Sequence, residues 1–181
     1  MLRMEIALFL ALALVAYMYF SAAKERTPLH RTFAMLLVTV LAHLALDGVT
    51  VWTVNHLDTV PRLLNDAVHR LFLGSMALVI YLFYQYIAIL VEEETGKPRR
   101  LDWLARIFLA AAELGNFLLP ISYTVTPEGN YSSGSYMLVP YWGVAFYLLL
   151  CAGLLTIHWR RIDRKKKFVI GIALTLSLIH I

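Results

Sequence analysis

The chain has 181 residues, 60% of them hydrophobic and 15% charged, with a formal net charge of +4 and a mean hydropathy of +0.69. Soluble domains run at about 45–50% apolar and about 25% charged, so these residues cannot cover an ordinary globule with a wetted surface. With 9 Gly, 6 Pro and 13% aromatics, disorder and collagen are excluded, and 1 Cys excludes a disulfide framework or a cysteine-based metal cluster.

What remains is an integral membrane protein. Crossing roughly 30 Å of hydrocarbon takes about 20 helical residues. Continuous apolar runs of that length lie at 6–23, 33–53, 71–91, 103–123 and 136–158. A sixth, 168–181, would reach only about 21 Å, which predicts an incomplete crossing and a truncated chain. The closing Leu-Ser-Leu-Ile-His-Ile resembles the start of a read-through peptide, and His180 carries no argument. The runs are continuous rather than alternating, which excludes a transmembrane barrel. The expected fold is an all-α polytopic bundle forming one domain over residues 1–181, with five full spans and a sixth cut short.

In the first run, Ser21-Ala22-Ala23 offers a signal-peptide cleavage site. The apolar stretch exceeds the usual 7–15 residues and Glu5 offsets Arg3, so a first membrane helix is the better reading. The second span carries His43 and Asp47, four apart and on one helical face. The next connection, Val54–Arg70, interleaves leucines with Asn55, His56, Asp58, Asn65, Asp66 and His69. Pro61 can open a short helix with Leu64, Val68 and Leu71 as its apolar stripe. This predicts an interfacial helix across the mouth of the bundle, either a lid in which His56, Asp58 or His69 meets a ligand, or a solvated connector.

In the third span Tyr81, Tyr84, Gln85 and Tyr86 read as helix packing and interface anchoring. The fourth places Glu113 mid-span with Asn116 one turn on. A charge at that depth costs about 2.5–3.5 kcal/mol on insertion scales. His43, Asp47, Glu113 and Asn116 are therefore expected either to form a polar pocket between the second and fourth spans or to fix packing through interhelical hydrogen bonds. Their spacing does not specify a metal site, and no cofactor is expected. Thr124–Ser135, with Pro127, Gly129 and Gly134, reads as a surface loop. Pro120 and Pro140 are positioned to kink the fourth and fifth helices. Cys151, in an apolar span, reads as a small core residue.

Thirteen of the 16 Lys and Arg fall on alternate connections. Lys24, Arg26 and Arg31 lie in the first, Lys97, Arg99, Arg100 and Arg106 at the third, and Arg160, Arg161, Arg164, Lys165, Lys166 and Lys167 in the fifth. The positive-inside rule then puts the N-terminus outside and the basic loops in the cytoplasm. Trp52, Trp103 and Trp159 fall at expected boundaries, while Trp142 lies about two turns into the fifth span. With the basic excess in juxtamembrane loops, the partner of the positive charge is anionic lipid and not nucleic acid. Asn130-Tyr131-Ser132 matches a glycosylation acceptor pattern. No P-loop, dinucleotide fingerprint, zinc-protease or serine-hydrolase motif is present, so this chain is not expected to be an enzyme.

Thr53-Val54-Asn55-His56-Leu57-Asp58-Thr59-Val60-Pro61 resembles the first outer loop of multi-span sensor regions that precede GGDEF-type diguanylate cyclase domains in bacteria. Asn130–Tyr136 leading into Val144–Leu149, and the basic Arg160–Lys167 loop, are similar to the same family. The likeness covers Thr27 to Thr175, and the family often has Gly-Pro where this chain has Gly134-Ser135. The resemblance implies a sensor input domain in the bacterial cytoplasmic membrane that regulates a cytoplasmic cyclase and so cyclic di-GMP. It also implies a small ligand and a possible homodimer made through the output domain. Two alternatives stand beside it: the sensor region of a histidine kinase, and a small transporter or membrane enzyme using Asp47 and Glu113.

Overall fold

A computed structural model describes residues 2–22, 27–127, 129–163 and 167. It contains helices α1 (Leu2–Ser21), α2 (Pro28–Val54), α3 (Arg62–Thr95), α4 (Asp102–Leu118) and α5 (Leu138–His158). Between α4 and α5 lie two short strands, β1 (Ser122–Thr126) and β2 (Gly129–Ser133), and one 3-10 turn, Ser135–Met137. The expected sixth span at 168–181 lies outside the described residues.

The helix ends follow from local chemistry. Thr27 caps α2, its hydroxyl accepting from the His30 amide at 3.2 Å with Pro28 in the first helical position. Pro61 immediately precedes α3, and Gly96 ends it in the left-handed conformation (φ 67°), donating to the Glu92 carbonyl at 2.8 Å. The helices run up and down. Tyr19 near the end of α1 donates to the His30 carbonyl at the start of α2, Thr53 near the end of α2 meets Asn65 near the start of α3, and Gly115 late in α4 meets Val139 early in α5.

Helix α3 is the spine: α2, α4 and α5 all pack on it, while α1 packs on α2. Over their most apolar stretches, 56% of α3 is buried against 11% of α2. Its C-terminal half makes the main core with α4 and α5, where Tyr84, Ile87, Tyr147 and Cys151 are almost wholly enclosed. Tyr147 satisfies its hydroxyl on the Ala105 carbonyl at 2.7 Å, and Phe108 stacks on Phe146 at 3.9 Å. A smaller core of Leu73, Ile121 and Tyr136 lies at the other end. Cys151 and Tyr84 are core residues, as their apolar surroundings in the sequence imply.

Four expectations change. Among the described residues three helices are long and apolar enough to cross a membrane, Pro28–Val54, Arg62–Thr95 and Ser135–His158, with a shorter apolar helix at Ile6–Ser21. The fourth run does not stay helical to Tyr123: α4 has 17 residues and stops at Leu118, because Pro120 lacks an N–H and drives Leu119 into extended backbone (φ −74°, ψ 141°). Arg62–Arg70 is not a separate interfacial helix but the first two turns of α3. Its buried face carries Asn65, Val68 and His69, whereas Leu63, Leu64 and Leu71 are exposed. Continuity wins because nothing between Asn65 and Thr95 breaks the helix. Pro140 lies in the first turn of α5, where its missing N–H has no intrahelical partner to lose, so it does not kink the helix.

The expected surface loop is instead an antiparallel hairpin, paired from Ser122↔Ser133 to Thr126↔Gly129. Ser-Tyr-Thr-Val-Thr is rich in strand-forming residues. Gly134 follows the hairpin at φ 140°, and a Cβ there would lie 2.9 Å from the Pro120 carbonyl. Gly134→Ala therefore combines backbone strain with a clash against backbone. It should destabilise the protein by about 1–3 kcal/mol, read as a lowered midpoint in denaturant unfolding followed by circular dichroism.

Candidate functional site

The ends of the bundle differ in chemistry. At the hairpin end, the last turn of α4 exposes carbonyls that Pro120 leaves without helical donors. Arg70 of α3 supplies them: its guanidinium donates to the Asn116 carbonyl and, at 3.1 Å, to that of Leu119. A cation at a helix C-terminus is also favoured by the macrodipole. Asn116 returns the contact, its side-chain amide donating to the Arg70 carbonyl at 2.9 Å, and Arg70 covers the Phe117 ring at 5.7 Å. The hairpin is tied down on both sides. Tyr123 donates to Asp66 at 2.6 Å, and Asn130 donates to the Val54 carbonyl at 3.0 Å. Burial, then the bond to Asp66, pushes the Tyr123 phenol above its ordinary value, so it remains a donor.

These ties hold β2 and the start of α5 against α2 and α3, and frame a partly open cavity of about 240 Å³. Phe72, Leu73 and Met76 form one wall and Met137, Pro140 and Val144 another. The polar groups on the wall are few: Thr50, His69, Ser132 and the tyrosines Tyr136 and Tyr141. A second, more open groove of about 580 Å³ lies between α1 and α2, lined almost entirely by apolar residues such as Phe9, Leu44 and Trp52, with His56 at its edge.

The expected pocket residues do not converge. His43 Nδ1 lies 2.9 Å from the Ser75 hydroxyl and its ring stacks on Phe72, so it belongs to the α2–α3 interface. Asp47 is partly buried on α2 and takes no hydrogen bond or ion pair among the described residues. Glu113 and Asn116 face α3 from α4, and a Cβ on Gly74 would lie 2.8 Å from Glu113 Oε2. His43, Glu113 and Asn116 thus all meet α3, and Glu113 also meets Asn116 one turn on. The lid residues also separate. His56 is exposed and stacks on Trp52 with Nδ1 2.8 Å from the Trp52 carbonyl, and Asp58 is exposed in the turn. Only His69 reaches the cavity, at 3% exposure.

At the basic end a network has formed that the sequence reading missed. Gln85 donates to Asp102 Oδ1 at 3.0 Å and to the Tyr81 hydroxyl at 3.2 Å. Arg99 donates to Gln85 Oε1 at 3.0 Å and to Glu92 at 2.9 Å. It also lies 3.3 Å from Asp102 Oδ2, and Arg106 reaches the same oxygen at 3.2 Å. The available signal was the placement of Asp102 three residues after Arg99 and four before Arg106, which puts all three within reach at a helix start. Of the basic loop, Arg160 and Arg161 are exposed in the turn after α5, and Lys167 lies over Trp159 at 5.1 Å. Arg164, Lys165 and Lys166 lie outside the described residues, as do Lys24 and Arg26.

No known protein family matches this chain, and no curated protein or solved structure matches it significantly.

The network at the basic end is a structural clamp between α3 and α4. Asp102→Ala would strip the partner from Gln85 and from Arg99, whose side chain is about a third exposed. Breaking a fully buried pair costs about 3–5 kcal/mol. Discounted for that exposure, the loss should be about 2 kcal/mol in detergent unfolding, and a change below about 0.5 kcal/mol would show that the clamp is incidental.

Proposed function

We propose that this chain is a polytopic helical module of a bacterial cytoplasmic membrane that senses a small molecule at its hairpin end. Immersion in lipid is supported by the outer surface of the bundle, where Leu10, Leu14, Val38, Phe117, Leu149 and Ile157 are all more than half exposed. In water so continuous an apolar exterior would drive aggregation. In α3, Leu71–Val91 carries no charge over about 32 Å of helix, with Arg70 and Glu92 at its limits. The four tryptophans are exposed. On α5, Trp142 and Trp159 stand about 26 Å apart along the axis, as interfacial anchors would.

The observation that carries the sensing reading is the separation of the cavity from the basic end. A ligand would meet the protein outside, beneath the hairpin, while the cationic turns would lie in the cytoplasm by the positive-inside rule. The resemblance of the Thr53–Pro61 and Asn130–Tyr136 segments to sensor regions that precede diguanylate cyclases supports a role in controlling cyclic di-GMP. An input region of a histidine kinase would share these features and differ in its output. The transporter or enzyme reading rests on Asp47 of α2 and Glu113 of α4.

Two measurements test this reading. In a Cys151→Ala background, Tyr131→Cys should react with an impermeant maleimide in intact cells, and Arg160→Cys only after lysis. The reverse pattern would overturn the orientation, and labelling of both in intact cells would overturn a membrane-spanning fold. Fused ahead of a diguanylate cyclase domain, the chain should set a cyclic di-GMP level that shifts about fivefold or more on plugging the cavity with Val144→Phe. An unchanged level would remove the sensing role and leave the topology standing.

A further inference from the structure

The walls of the cavity specify a ligand chemistry, a step that rests on the reading of the hairpin end as the sensing end. Its volume of about 240 Å³ exceeds the roughly 150 Å³ of an apolar cavity known to accept benzene. A single ring with one or two small substituents therefore fits by size. Phe72, Leu73 and Met76 from α3 face Met137, Pro140 and Val144 around the cavity. Among the described residues neither Lys, Arg, Asp nor Glu lines it, so a charged ligand would find no counter-ion there to replace its hydration.

The polar groups narrow the class further. His69 Nδ1 lies 3.0 Å from the Asn65 carbonyl, which can only accept. In the neutral ring Nδ1 therefore carries the proton, and Nε2 is a bare acceptor with no protein partner among the described residues. Tyr136 is 1% exposed, and among the described residues its hydroxyl makes no hydrogen bond of good geometry, with the Ser132 side chain as its polar neighbour. A buried hydroxyl left unpaired costs about 1–3 kcal/mol. Ser132, from β2, adds a third polar group to the same wall. The cavity thus offers an imidazole acceptor from α3 and, around Tyr136 and Ser132, hydroxyls, on an otherwise mostly apolar lining.

We propose that this cavity binds a small neutral phenol or alcohol, its hydroxyl donating to His69 Nε2 and accepting from Tyr136 or Ser132 while its apolar body lies between α3 and α5. A hydroxyl is the smallest neutral group that both gives and takes a hydrogen bond. An amine would be cationic at neutral pH and a carboxylic acid anionic, and the cavity answers neither charge.

The full chain in lipid nanodiscs, titrated with para-fluorophenol and para-fluorotoluene and followed by fluorine NMR, tests the assignment. Affinities referred to free aqueous ligand should favour the phenol by about three- to tenfold. Val144→Phe and Met76→Trp, which fill the cavity from opposite walls, should each abolish the bound signal. His69→Phe should bring the phenol down to the toluene's affinity, and His69→Gln, which keeps an acceptor, should restore part of the difference. Equal affinity for the two probes in the native chain would overturn the ligand class. Absence of binding, or binding indifferent to both plugs, would overturn the site itself. If the phenol binds and is lost with the plugs while cyclic di-GMP does not respond to it, the site stands and the sensing role fails.

Discussion

The hairpin end is organised by the guanidinium of Arg70. Where Pro120 stops α4, the helix presents carbonyls that lack intrahelical donors. Arg70 meets two of them from the neighbouring helix, and Asn116 closes the contact onto the Arg70 carbonyl. Once α4 is ended there, the chain beyond it is free to turn back as two strands. Those strands are anchored to α2 through Asn130 and to α3 through Tyr123. The cavity exists because this early stop of α4 sends β2 and the first turn of α5 across the ends of α2 and α3.

The same logic explains why α3 can be long, apolar and polar at once. Its uncharged middle packs against α2, α4 and α5, and most of its polar residues lie toward the two ends, where several are matched. Asn65, Asp66 and Arg70 meet backbone or side chains of α2, β1 and α4. Gln85, Glu92 and the loop residue Arg99 meet Asp102 and one another. Two exceptions stand in the middle. His43 is answered by Ser75, and Glu113 is accommodated by the missing side chain of Gly74. Both are interhelical packing devices of the kind expected where polar side chains must find partners away from water.

Much of the helical content was legible because apolar continuity is a strong signal: the second, third and fifth runs became helices that contain or nearly match the predicted spans. What escaped was whatever depends on one residue interrupting a run or on contacts far apart in sequence. Pro120 was read as a kink in a helix, when it ends one. Thr124–Ser135 was read as a loop because its Pro and Gly are turn formers. Its strand character is the weaker signal, and it emerges only when the hairpin is held against α2 and α3. The candidate pocket joined His43, Asp47, Glu113 and Asn116 by chemical type, and periodicity within one helix cannot tell which helix it faces. His69 was identified as a candidate, but Tyr136, Phe72 and Met76 were not, since a cavity wall is made of ordinary core residues until the partner elements are known.

How occupancy of the cavity would be felt at the basic end follows from which helices wall it. Phe72, Leu73 and Met76 of α3 and Pro140 and Val144 of α5 line the cavity. The same two helices continue into the main core, where Tyr84 meets Tyr147 at 5.9 Å between ring centroids and Tyr147 holds the Ala105 carbonyl of α4. A ligand that spread α3 from α5 at the cavity would act on a joint of close-packed aromatic rings. Such interfaces resist continuous deformation and exchange between discrete packings. On the proposed sensing role Tyr147 would be the joint of that exchange, since its hydroxyl ties α5 to α4 while its ring meets Tyr84 of α3. The bound and free states would then differ in how α5 sits on α3. The Asp102 clamp keeps the start of α4 fixed to α3, leaving α5, which runs directly into Arg160 and Arg161, as the element able to carry the shift.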